Sequence, residues 1–109
     1  MANNYKNAKV DLTGTGVAVL YTAPSATTAL IKSILVSEDS GSADTITVTI
    51  TNAAASPAVF SLFKVKAVAA NATVELLTQP LVVQEDEIIK VTAATGNRLH
   101  VVASLLEIT

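Results

Sequence analysis

The chain has 109 residues, half of them hydrophobic and only 15% charged, with seven basic and nine acidic side chains and no cysteine. A net charge of −2 with scattered basic residues argues against nucleic acid as a partner, and without cysteine there is neither a disulfide scaffold nor a thiolate metal site. The length fits one domain, since two halves would each be too small to bury a core unaided, and a mean hydropathy of +0.52 leaves apolar surface that is expected to meet another subunit.

Residues 1–12 are polar and lack a strong pattern apart from a short strand run at Val10–Leu12, and are expected to form an N-terminal arm that orders against a larger assembly or a neighbouring copy, with a single domain over 13–109. No apolar stretch follows the first lysine, and nowhere do eighteen apolar residues run together. Neither a signal peptide nor a membrane span is expected, and synthesis in the cytoplasm is the default. Gly14-Thr15-Gly16 lacks the Lys-Ser/Thr ending and following helix of a phosphate loop, so it reads as a turn.

Strands are expected at 17–22 and 30–38, separated by Pro24, which fixes φ and has no ladder donor. The polar turn Asp39-Ser40-Gly41-Ser42 leads into Thr45-Ile46-Thr47-Val48-Thr49-Ile50-Thr51. Here the period of two sends Ile46, Val48 and Ile50 to the core and the threonines to the other face. After an alanine-rich loop at 52–57, further strands are expected at 59–66, 73–77, 81–84, 88–93 and 99–108. The stretch 67–72 is too short for a helix that buries a face and reads as a loop. Eight or nine short strands of β-branched residues predict an all-β fold, an antiparallel β-sandwich of jelly-roll or immunoglobulin-like order, with a closed barrel as runner-up. With two phenylalanines, two tyrosines and no tryptophan, aliphatic side chains must fill the core.

Reactive groups are sparse. His100 is the sole histidine; Ser104 shares its strand face, but four residues of strand span about 13 Å, too far for a nucleophile and its base. Glu85-Asp86-Glu87 could offer oxygen ligands to calcium but lacks EF-hand spacing, and reads as a solvated turn that discourages strand pairing. Glu38 and Asp39 read the same way. Asn71-Ala72-Thr73 matches the glycosylation triplet, without a secretory signal to use it. Lys64 and Lys66 are expected on one strand face, and Tyr5 and Tyr21 lack the aromatic companions of a single-strand binder. No catalytic, cofactor or metal-binding residue is assigned, and neither nucleic acid nor membrane is an expected partner.

Five segments in order carry a resemblance: Leu20-Tyr21-Thr22-Ala23-Pro24, then Ala29-Leu30-Ile31-Lys32-Ser33-Ile34-Leu35-Val36, then the polar turn with its Thr/Ile strand, then Glu85-Asp86-Glu87-Ile88-Ile89-Lys90-Val91, and finally Ser104-Leu105-Leu106-Glu107. Their order and spacing resemble a family of small structural proteins of tailed bacteriophages, notably marine ones. The chain departs from that pattern at Ser37-Glu38-Asp39, where many relatives have Asn, and in the alanine-rich loop. The resemblance implies a virion location after assembly in the host cytoplasm, many copies, and a decoration or cement role on the head. The implied partners are the major capsid protein or other virion proteins and further copies of the chain, a trimer being favoured. A tail, neck or fibre component is the nearest alternative, and a carbohydrate-binding adhesion module is the alternative from another class. The family supplies no catalytic residues.

Overall fold

The period-two runs fold as strands throughout. The computed structural model describes residues 2–52 and 58–109. Among these the strands are β1 (Asn3–Leu12), β2 (Ala18–Thr22), β3 (Thr28–Glu38), β4 (Asp44–Thr51), β5 (Val59–Val68), β6 (Thr73–Glu75), β7 (Leu81–Val83), β8 (Ile88–Ala93) and β9 (Leu99–Ile108), with no helix.

The strands make two sheets that share one core. The first runs β1-β9-β3-β6, with β7 also pairing β3, and the second runs β2-β8-β4-β5. Because β6 takes Leu35–Ser37 and β7 takes Ala29–Ile31, these two short strands act as one interrupted edge beside β3. All pairings are antiparallel. Successive strands cross from one sheet to the other except at β4–β5 and β6–β7. This winding is the jelly roll, and it rules out the immunoglobulin order.

Register explains the core. Opposite residues in antiparallel strands share a face, so Val36 meets Val101, which meets Val10, across β3, β9 and β1. From the second sheet, Ile46, Val48, Ile89 and Val91 close the same space. All fully buried apolar side chains are aliphatic. Ile50 is only half-buried, whereas Thr51 is buried with its hydroxyl unpartnered, so the alternation at 45–51 fails at its last step.

A bulge at Lys32 accounts for the broken alternation of 29–36. The register to β9 shifts between Ile31 and Ser33, and this extra residue lets both Ile31 and Ile34 face inward. Two further shifts mark β5 against β4: Lys64 and Val65 both stand beside Thr47, and Leu62 has no counterpart. Lys66 falls opposite Ile46 and Phe63 opposite Val48, with the shift between them, so the simple alternation that would put Lys64 and Lys66 on one face is interrupted.

The structure also differs over the N-terminus. Asn3–Leu12 is no free arm: all ten residues pair with β9, and Ala8, Val10 and Leu12 turn inward beside Ala103, Val101 and Leu99. The segment reads as polar because the outward positions Asn3, Asn7, Lys9 and Asp11 dominate it. Residues 67–72 hold the end of β5 and a turn closed by the Ala72 N–H donating to the Ala69 carbonyl. The loop expected at 52–57 lies, apart from Asn52, outside the described residues.

Candidate functional site

Several of the acidic residues anchor turns and bulges. Glu38 is not a solvated turn residue: it is only 2% exposed. Its carboxylate accepts from the Ser40 N–H and hydroxyl, the Gly41 N–H at 3.1 Å and the Asn71 N–H at 3.0 Å. Burial by itself would raise its pKa, but these donors outweigh it and hold the group at about 2. The turn after β3 is thereby tied to the β5–β6 turn, where Asn71 has positive φ. In the glycosylation-like triplet, Asn71 thus serves through its backbone. Asp39 is exposed.

Glu75 braces the bulge in the same manner, accepting from the Ser33 hydroxyl, the Ile34 N–H at 2.9 Å and the Leu77 N–H at 3.1 Å. Burial opposes the ionised form, yet the donors lower the pKa overall. Buried Asp44 accepts from the Thr95 N–H at 3.1 Å. In the acidic turn, Glu85 accepts from the Ala26 N–H at 2.7 Å and Glu87 from the Gln84 N–H at 2.7 Å. Among the described residues no group of three or more acidic, histidine or cysteine side chains is placed to hold a metal ion.

His100 lies on the outer face of the first sheet, opposite Asp11 on β1 and Ser37 on β3. Its Nε2 is 3.2 Å from Asp11 Oδ1 and its Nδ1 3.5 Å from Asp39 Oδ2. Both ring nitrogens thus face carboxylates, and Ser104 stands two rows further along, opposite Asn7 and Ser33. A shallow depression of about 220 Å³ opens beside it, lined by Lys9, Val10, Asp11, His100, Val101 and Val102. Gly14 and Gly16 have open space around them, as a plain turn would. Gly96 does not: it packs against the Thr13 carbonyl.

Tyr21 and Glu107 close the end of the sandwich. The Tyr21 hydroxyl donates to Glu107 Oε2 at 2.5 Å, and Lys6 Nζ lies 3.2 Å from Glu107 Oε1. Burial, the hydrogen bond and the Glu107 charge push the phenol's pKa up.

The two outer faces differ in chemistry. On the second sheet the outward positions are Thr47 with Thr92, and Thr49 with Lys90 and Val19, the alternation expected of a sheet that meets water. On the first sheet two of the outward rows, Lys9-Val102-Leu35-Glu75 and Tyr5-Leu106-Leu30-Val82, carry large apolar side chains, while the rows Asp11-His100-Ser37-Thr73 and Asn7-Ser104-Ser33 are polar. Tyr5 is 75% and Val82 52% exposed, and Lys32 Nζ lies 5.3 Å from the Tyr5 ring centroid. A second apolar surface runs along the β5 edge, where Val59 is 61% and Phe60 54% exposed. Neither surface stands out as a sequence motif. The available signal was that 29–36 and 99–108 carry large apolar residues on both faces of a strand.

No family model matches the sequence, and no curated protein matches it. Among solved structures, that of infectious bursal disease virus, Gt strain, is similar over 98% of this chain, with a TM-score of 0.46 and 9% identity. The chain spans 30% of the length of that neighbour.

Proposed function

We propose that the chain is a non-catalytic structural subunit of a virus particle, in its most concrete form a decoration or cement protein on the outside of a tailed-bacteriophage head. The observation that carries this reading is the pair of separate surfaces with exposed apolar side chains on a small sandwich, one at Tyr5, Leu35, Val82 and Val102 on the outer face of the first sheet and one along the β5 edge. A subunit that stabilises a shell must touch two neighbours at once, and its effect grows with the number of symmetric copies. Jelly rolls recur in viral capsid domains, an analogy of fold that adds to the reading without carrying it.

A glycan-binding module would present aromatic side chains around a concave site. Here the most exposed aromatic, Tyr5, lies within strand β1 on a flat sheet face, with Lys32 over its ring. The copy number in purified virions tests the proposal. On the order of hundreds of copies that stay on emptied heads are expected from shell symmetry; a few tens or fewer that purify with tails would move the protein to the neck, tail or fibre.

A further inference from the structure

We propose that the outer face of the first sheet pairs with the same face of a second copy of this chain, about a two-fold axis that runs parallel to the strands between β9 and β3. This inference rests on the reading of that face as a contact surface and names its occupant.

The order of residues across the sheet points to this arrangement. An axis parallel to the strands keeps each row at its own height and reverses its order. The row Lys9-Val102-Leu35-Glu75 then lies on Glu75-Leu35-Val102-Lys9 of the second copy. A cation meets an anion at both ends, and Val102 meets Leu35 twice between them. Two rows further on, Tyr5-Leu106-Leu30-Val82 lies on its own reverse, so that Leu106 meets Leu30 and Tyr5 meets Val82. The small polar row Asn7-Ser104-Ser33 separates the two. Glu75 is well suited to its end of the row, because Ser33, Ile34 and Leu77 hold its carboxylate in place and keep it ionised.

Other arrangements of the same face fit less well. An axis across the strands would exchange the two rows, setting Lys9 on Tyr5 and Glu75 on Val82 and leaving the carboxylate against an apolar side chain. A three-fold axis cannot lay this patch on itself, since a self-complementary contact is two-fold by construction. The two-fold pairing therefore departs from the trimer that the family resemblance favours. Three strands of about ten residues and a fourth position filled only by the three-residue β6 and β7, about 4.8 Å apart, give roughly 570 Å² per copy, or about 1,150 Å² in all, near the lower bound of specific interfaces. Lys32, whose ammonium lies over the Tyr5 ring, has to give up that contact when the faces meet. The β5 edge, in the other sheet, stays free for the shell.

Sedimentation equilibrium of the full chain over a concentration series tests the pairing, alongside Leu106→Lys, Val102→Lys and Lys9→Glu. The wild type should approach twice its 11.2 kDa mass. Leu106→Lys and Val102→Lys should sediment as monomers with an unchanged circular dichroism spectrum, and Lys9→Glu should weaken the dimer by about tenfold or more. Since Lys9 is exposed and outside the core, that variant remains informative if an apolar-to-lysine change disturbs folding. A monomeric or trimeric wild type, or a dimer indifferent to all three changes, overturns the inference. Binding of the same variants to particles stripped of the protein separates the two readings. If the wild type is monomeric but Leu106→Lys no longer binds particles, the face contacts the shell and only the self-pairing falls; if binding is also unaffected, the face is no contact surface and both fall.

Discussion

The phenol of Tyr21, on β2 in the second sheet, donates a hydrogen bond to the buried carboxylate of Glu107, on β9 in the first. The two residues are 86 positions apart and belong to the first and last of the segments that carry the sequence resemblance. Their contact gives the order of those segments a physical reason. The segments Leu20–Pro24 and Ser104–Glu107 meet across the sandwich, and Lys6 on β1 completes the neutralisation of Glu107. A carboxylate in that position would otherwise be an unpaired charge between two sheets.

Tyr21→Phe should therefore destabilise the domain by about 1–3 kcal/mol, the range for leaving a buried acceptor without its partner, as read from urea denaturation. The variant should also behave differently in alkali. In the folded protein the Tyr21 phenol ionises above its ordinary value of 10.0, whereas in the unfolded chain it ionises at that value. Its contribution is thus intact below pH 10 and falls as the pH rises beyond it. Tyr21→Phe should lose stability less steeply over that range than the wild type.

Much of the fold is legible in side-chain periodicity, and the exceptions share one cause. Ile46 and Val48 announce their face because threonines alternate with them. In 29–36 the alternation is masked by the bulge at Lys32, which only the register to β9 reveals. The same applies to Lys64 and Lys66, separated by a shift whose partner, Thr47, lies on another strand. Glu38 and Glu107 are in phase with buried neighbours, Val36 and Leu105. A carboxylate at an inward position, however, reads as solvated until its donors are known, and for Glu38 they come from Ser40, Gly41 and the distant Asn71. The contact face needed strand order most of all, since Tyr5, Leu106, Leu30 and Val82 come from four strands.

Glu38 sets the acid limit. Its pKa falls from 4.5 to about 2 on folding, so the unfolded state binds the proton more readily. The stabilisation is present above pH 4.5 and is lost as the pH drops toward 2. Glu38→Gln keeps the shape of the side chain but removes the charge that four donors address. It should lower the Tm at neutral pH and flatten the decline of Tm between pH 4.5 and 2, measured by calorimetry.

Gly96→Ala should be among the costliest small changes. A Cβ at Gly96 would sit 2.6 Å from the Thr13 carbonyl oxygen and 3.2 Å from the Gly14 Cα, both backbone atoms that cannot swing aside. The neighbouring Asn97 N–H also donates to the Leu12 carbonyl at 2.9 Å, which anchors this loop to the end of β1. Overpacking of this kind costs about 1–3 kcal/mol, and the thermal midpoint should drop accordingly. Alanine at Gly14, where nothing lies within 4 Å of an added Cβ, serves as the control and should leave the midpoint nearly unchanged.

Val65→Gly should act in the opposite direction. Val65 occupies the left-handed region with φ of 53°, where a β-branched side chain is strained by about 1–2 kcal/mol. The bulge of β5 imposes this conformation, and the Val65 N–H donates to Thr47 Oγ1 at 3.1 Å, a bond that glycine can keep. The side chain is 59% exposed, so little burial is lost. Against the relieved strain stands the greater freedom of glycine in the unfolded chain, worth about 0.4–1 kcal/mol. The net expectation is a gain of about 0.5 kcal/mol or more in urea. A loss instead would mean that the valine side chain is itself a packing element of the β5 edge, and particle binding by the variant would then be expected to fall with it.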